Sequence, residues 1–150
     1  GRTKLDGYRP PARWMWIDKV RAAVDIPIIA NGEVWTVEDF ARCQQETGCD
    51  DIMLGRGAIA DPLLARRVRG EEVGGWAEIL PSVADYWLGV RRKVVAVHAG
   101  GRLKQWLAML RRNYPEAEVL YQKLRPIKAA HDIDAALMAE GILSPLQLAA

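Results

Sequence analysis

The chain has 150 residues, half of them apolar, which excludes a disordered chain and bounds it to one ordinary domain, or a small domain plus part of another. No apolar run approaches the roughly 18 residues needed to cross a bilayer. The net charge of +2 conceals a division: residues 91–128 hold ten Lys/Arg against two acids, +8, leaving −6 on the remainder, so a polyanionic partner would be sought in that segment.

In chain order, GRTKLDGYRPP is polar, lacks a starting Met and has no signal-peptide core. That fits a chain cut from something longer. RWMWIDKVRAAV puts Trp16, Val20 and Ala23 on one helical face. Ile26 to Ala30 is a continuous apolar run of strand length, ending at Asn31-Gly32-Glu33. Thr36 can cap the next helix, with Asp39 placed as in a capping box. Val37, Phe40 and Ala41 are expected to face inward, and Gly48 to end the helix. A second short strand, Ile52 to Leu54, runs into Gly55-Arg56-Gly57, and Asp61-Pro62 can start a new helix. Strands about 25 residues apart with helices between suggest βα units on a parallel sheet, and unbroken apolar strands suggest burial on both faces. Two strands make no stable parallel sheet, and a closed barrel needs about 250 residues. Residues 1–70 are therefore expected to be the end of a larger α/β domain.

From about residue 75 the pattern is helical, after a junction in Arg66 to Gly75. WAEILPSVADYWLGVRRKV spaces Ile79, Val83, Tyr86, Trp87 and Val90 helically, with Pro81 tolerable near the start. Leu103, Trp106, Leu107 and Leu110 mark an amphipathic helix. Pro115 can open the next, with Val119, Leu120 and Leu124 inward, and a last helix is expected from Asp132 to Ala139. The fold class expected is α/β plus all-α.

Both strands end in polar and glycine residues, on the edge where parallel α/β sheets bind ligands. Gly32, Gly55 and Gly57 let backbone N–H groups approach a ligand. Gly55-Arg56-Gly57 opening a short helix would add a guanidinium, which suits a phosphate monoester. Asn31 offers both a donor and an acceptor. The alternative is ordinary turns with a surface Arg. In the helical half, Arg111 and Arg112 suit a helix C-terminus. Arg102, set against the local dipole, is a better phosphate contact. Arg91-Arg92-Lys93 reads as a solvated face, His98 as a loop residue, and Trp16, Trp35, Trp76 and Trp87 as core. Cys43 and Cys49 are not spaced CxxC and no nearby His completes a zinc set. They read as reduced structural thiols of a cytoplasmic protein, with no metal site.

GRT followed by GYR, then IPIIANGEVW, GCDDIMLGRGA and RLKQWLAML, resemble the bacterial tRNA-dihydrouridine synthases. The nearest match is to the subfamily that acts on uridine 16 of the D-loop. The resemblance covers essentially the whole chain and implies its C-terminal half. That half would be the last two strands and flanking helices of a flavin-binding TIM (β/α)8 barrel (1–70), followed by a small helical bundle domain that binds tRNA (75–150). It implies FMN contacts at Asn31, Gly32 and Glu33 after the seventh strand, and FMN phosphate contacts at Gly55 and Arg56 after the eighth. It implies tRNA contacts at Arg102, Lys104 and Arg125, with Arg9 in the GYR loop a further candidate. The implied reaction is reduction of the uridine C5–C6 bond, with NADPH reloading the flavin. The family's proton-donating Cys, its flavin-contacting Lys and the His before GRT all precede this segment, so no catalytic residue is expected within it. A monomer is expected. Two alternatives stand beside this reading: a tRNA-binding module without activity, and a phosphate-binding barrel fragment unrelated to RNA, against which the +8 segment argues.

Overall fold

The computed structural model describes residues 4, 7 and 9–149. Gly1, Arg2 and Thr3 of GRT, and Tyr8 of GYR, lie outside the described residues. The chain divides into two compact units, 1–72 and 73–150.

The first unit contains α1 (Met15–Arg21), β1 (Ala30–Asn31), α2 (Val37–Thr47), β2 (Ile52–Met53), α3 (Arg56–Ala60) and α4 (Leu64–Val68). The two strands pair in parallel, Ala30 opposite Ile52 and Asn31 opposite Met53. Strand structure is shorter than the apolar runs suggest, because only these residues find a hydrogen-bonding neighbour among the described ones. Burial on both faces is not observed: Ile26, Ile29 and Met53 are 68%, 59% and 54% exposed. The core is Trp14, Ala30, Val34, Cys43 and Cys49, with Ile17, Ile28, Phe40, Ile52 and Leu54 packed against it. Trp14 rather than Trp16 anchors the first helix region; Trp16 and Val20 are exposed. On α2, Val37 and Ala41 also face out, and Cys43 and Thr47 take the inward positions.

The capping box forms as read. Thr36 Oγ1 accepts from the Asp39 N–H at 3.1 Å, and the Asp39 carboxylate accepts from the Trp35 N–H at 3.1 Å. Gly48 closes α2 in the left-handed region, φ 62°. Asp61 caps the approach to α4, accepting from the Leu63 N–H at 3.0 Å and pairing with Arg67. Both cysteines are buried free thiols, and burial pushes the Cys43 thiol above its usual range.

The second unit contains α5 (Trp76–Lys93), α6 (Ala96–Leu110), α7 (Pro115–Leu124), α8 (Ala130–Ala139) and α9 (Pro145–Ala149). Pro81 sits inside α5 without ending it. The α6 helix begins well before Leu103 and takes in His98, which is therefore an exposed helical residue rather than a loop one. It packs against α5, α7 and α8, around Trp87, Leu103, Leu107, Leu110, Leu124, Ile133 and Leu137, all fully buried. Trp87 satisfies its indole N–H on Asp134 at 2.7 Å, and Arg91 pairs with the same carboxylate at 3.1 Å. Val119 is 56% exposed: Ala117, Leu120 and Leu124 already fill the inward face of α7. Of the four tryptophans read as core, only Trp87 is buried.

Candidate functional site

Parallel pairing in this register brings the C-terminal ends of β1 and β2 to one edge. Gly32-Glu33 leaves from one strand and Leu54-Gly55-Arg56 from the other. Asn31 is exposed, and its Oδ1 lies 3.6 Å from where a Cβ on Gly55 would stand. Gly55 has φ 57° and ψ −123°, a conformation open to glycine and strained for any L side chain. Arg56, the first residue of α3, is exposed, and its guanidinium lies 5.3 Å from the centroid of the Trp35 ring. Trp35 is tied through its own N–H to the start of α2. The arginine therefore rests on a ring whose backbone is already fixed.

Gly57 behaves differently from its reading as a ligand-approach glycine. It is buried, and a Cβ there would lie 2.0 Å from the Val34 carbonyl oxygen. Its N–H donates to the Leu54 carbonyl at 3.1 Å. It closes the turn against the β1–α2 loop, while Gly55 and Arg56 remain exposed.

The Gly32-Glu33 turn is held from the N-terminal side. Glu33 has a positive φ of 54°, and its carboxylate accepts the Ala12 N–H at 2.7 Å. The Trp14 indole N–H donates to the Gly32 carbonyl at 2.8 Å. Gly32 has φ 143°, and a Cβ on it would meet the Ala12 Cβ at 2.6 Å. Neither Ala12 nor Trp14 is marked by any motif; only the pairing of indole with carbonyl in three dimensions identifies them. Arg9 is exposed, three residues before Ala12.

Together Asn31, Gly55 and Arg56 present an amide, an open backbone and an exposed guanidinium at one edge. This donor set fits a phosphate monoester beside a hydrogen-bonding ring, as in FMN. Among the described residues, no group of His, Cys, Asp and Glu is arranged to hold a metal ion.

In the second unit, the basic residues separate by role. Lys104 is half-buried and donates to the carbonyls of Arg125, at 3.2 Å, and Ile127. Burial holds its ammonium below the usual lysine range. It ties α6 to the exit of α7, using two of its three donors. Arg125, the C-cap of α7, keeps an exposed side chain. Arg102 is exposed on α6, and the Tyr86 hydroxyl lies 3.5 Å from its carbonyl oxygen. Tyr86 and Trp106 pack at 4.7 Å between centroids. Arg111 and Lys123 are paired with Glu118 and Glu140. Among the described residues, Arg92, Lys93, Arg102, Arg125 and Lys128 are exposed cations outside any ion pair.

A search against protein families matches residues 1–131 to the dihydrouridine synthase (Dus) family. Among curated relatives, the tRNA-dihydrouridine(16) synthase of Aquipseudomonas alcaligenes is 48% identical over 139 residues, covering 89% of this chain and 44% of that protein. Its counterpart in Ralstonia nicotianae is 44% identical over 137 residues, covering 88% and 42%. The one in Neisseria meningitidis serogroup A is 37% identical over 139 residues, again covering 88% and 42%. The chain thus spans about two fifths of the length of the curated relatives it matches. With its family match covering most of its length, the chain belongs to the dihydrouridine synthase family.

Proposed function

We propose that this chain serves in a tRNA-dihydrouridine synthase, the NADPH-driven, FMN-dependent reduction of a tRNA uridine to 5,6-dihydrouridine, with uridine 16 the favoured position. The observation that carries this is the meeting of Asn31, Gly55 and Arg56 at one edge of a parallel strand pair, in a member of this family. In this reading the first unit supplies the last two strands of a TIM barrel. Ile26, Ile29 and Met53, exposed here, are the side chains that further strands would cover. FMN, when bound, supplies the hydride chemistry. Gly55 and Arg56 would hold its phosphate, Asn31 would fix a polar edge, and Gly32-Glu33 would wall the site.

The second unit is the proposed tRNA-binding domain. Arg102 and Arg125 are its phosphate contacts, and Lys104 sets the position of the Arg125 backbone. Arg9 is a further proposed contact from the first unit. A monomeric, cytoplasmic protein suits a tRNA-modifying role, and no helix among the described residues is long and apolar enough to cross a membrane.

One observation favours the second reading, an RNA-binding unit with no turnover of its own. The chain has two cysteines, both buried, and the Cys43 thiol is made a weaker acid by burial. Both stand in the core of the first unit with Trp14, Ala30 and Val34. The two readings share tRNA binding and divide on FMN uptake and activity. FMN titrated into the chain should be taken up with the absorbance shift of a bound flavin, and Arg56→Ala should weaken uptake about tenfold, the scale of one charge-assisted phosphate contact. Failure to take up FMN would overturn the flavin-site reading. Dihydrouridine formed from tRNA and NADPH by the chain alone would overturn the inactive one.

A further inference from the structure

A flavin-site reading invites a direct cofactor contact from every residue of Asn31-Gly32-Glu33. The Glu33 carboxylate is instead directed at backbone. It accepts the Ala12 N–H at 2.7 Å, twenty-one residues away in sequence, while Trp14 donates to the neighbouring Gly32 carbonyl at 2.8 Å. Two hydrogen bonds, both donated by residues 12 and 14 and accepted by adjacent residues of the turn, make a clasp rather than a single tether. The Ala12 Cβ stands where a side chain on Gly32 would have to go. Trp14 carries the clasp into the core, where it is buried with Ala30 and Val34 on either side of the turn.

We propose that Glu33 is a positioning residue that locks the segment Arg9 to Trp14 onto the 31–33 turn. The clasp does two things. It holds the turn in its left-handed geometry, φ 54° at Glu33, which a non-glycine residue keeps only when its surroundings impose it. It also keeps the exposed Arg9 within about 11 Å of Ala12, the reach of three extended residues. Arg9 is thus presented beside the edge where the proposed flavin sits. The Glu33 side chain meets the Ala12 N–H directly, at 2.7 Å. A charge-assisted acceptor makes that bond stronger than a neutral one would be. The inference rests on the flavin-and-tRNA reading for its purpose, and on the two hydrogen bonds alone for its geometry.

The test compares the wild-type chain with Glu33→Ala and Glu33→Gln. The readouts are the rate of tryptic cleavage after Arg13, FMN affinity and tRNA affinity. Glu33→Ala should speed cleavage about tenfold and weaken both ligands, the expected scale for losing a hydrogen bond to a charged group. Glu33→Gln, which keeps an acceptor oxygen, should stay within about threefold of wild type in all three. If Glu33 touches the cofactor directly, both variants would weaken FMN alone and Arg13 would stay protected, which would overturn the clasp. Hydrogen exchange on the wild-type chain covers the case in which Glu33→Ala does not fold: an unprotected Ala12 amide would also overturn it. Wild-type chain that takes up no FMN would sink the flavin reading, while protection at Arg13 would still decide the clasp.

Discussion

Gly55 and Gly57 are two residues apart in sequence and opposite in what they do. Gly55 is needed for its backbone angles, with ordinary contact distance to Asn31. Gly57 is needed because the Val34 carbonyl occupies the space of a side chain. Gly57→Ala should therefore destabilise the first unit by about 1–3 kcal/mol, the range for overpacking against a backbone that cannot retreat. Urea unfolding of the first unit measures this. Arg56→Ala should leave that transition within about 0.5 kcal/mol, as for exposed positions, and lose flavin affinity instead. A Gly57→Ala protein with unchanged stability would show that the loop can shift, and would return Gly57 to the ligand face. The motif marks Gly55 and Arg56 as the turn out of a strand, and the structure places both, exposed, just after β2. The motif could not separate the two glycines, since the difference lies in a carbonyl twenty-three residues upstream. Glu33 is marked by its position in the motif, but the Ala12 N–H that its carboxylate accepts is marked by no sequence pattern.

Among the elements, those signalled locally were read correctly and those set by neighbours were not. The Thr36–Asp39 cap, the Gly48 stop and Pro115 at the start of α7 are local chemistry. Thr36→Ala should cost about 1 kcal/mol, read from thermal unfolding with the Asp39 half of the box still present. The early start of α6 was hidden by Gly100 and Gly101, which lower helix propensity. A Cβ on Gly100 would stand 2.7 Å from the terminal Cδ1 of Ile133 on α8, which would have to turn aside. The face of α1 was misassigned because Trp14, just before the helix, does the burying. Past α4, Glu71 accepts from Arg66 and Arg69, both at 2.8 Å, and these donors hold its carboxyl below the usual value of 4.5. A depressed folded value means that the contribution is present above pH 4.5 and is lost as pH falls through the lower folded value. An NMR titration of the Glu71 carboxyl should show that depressed midpoint, and Arg66→Ala should raise it. A midpoint indifferent to Arg66 would mean that the pairing does not persist in solution.

At the scale of the whole molecule, the question is how much of the +8 segment can face a polyanion. Ion pairs to Glu118, Glu140 and Asp134 remove Arg111, Lys123 and Arg91 from the tally. Lys104 is committed to the α7 exit. With Arg112, which has an interaction of its own, also set aside, the cations of the segment left exposed outside ion pairs among the described residues are Arg92, Lys93, Arg102, Arg125 and Lys128. Neutralising up to about five phosphates gives a slope of log affinity against log salt of about −4, taking roughly 0.7–0.9 per phosphate. Fluorescence anisotropy with tRNA across a salt series should find a slope near that value for the chain. Arg102→Ala and Arg125→Ala should each make it shallower by about one. Lys104→Ala should weaken binding with the slope nearly unchanged, because it disturbs the Arg125 backbone without removing a phosphate contact. It should also lower the melting temperature, which Arg102→Ala should not. A Lys104→Ala slope as shallow as that of Arg102→Ala would put the ammonium on the RNA, against the two carbonyls that hold it here. A slope near zero for the unmodified chain would mean that the charge division in the sequence serves the fold of the second unit and no polyanion at all.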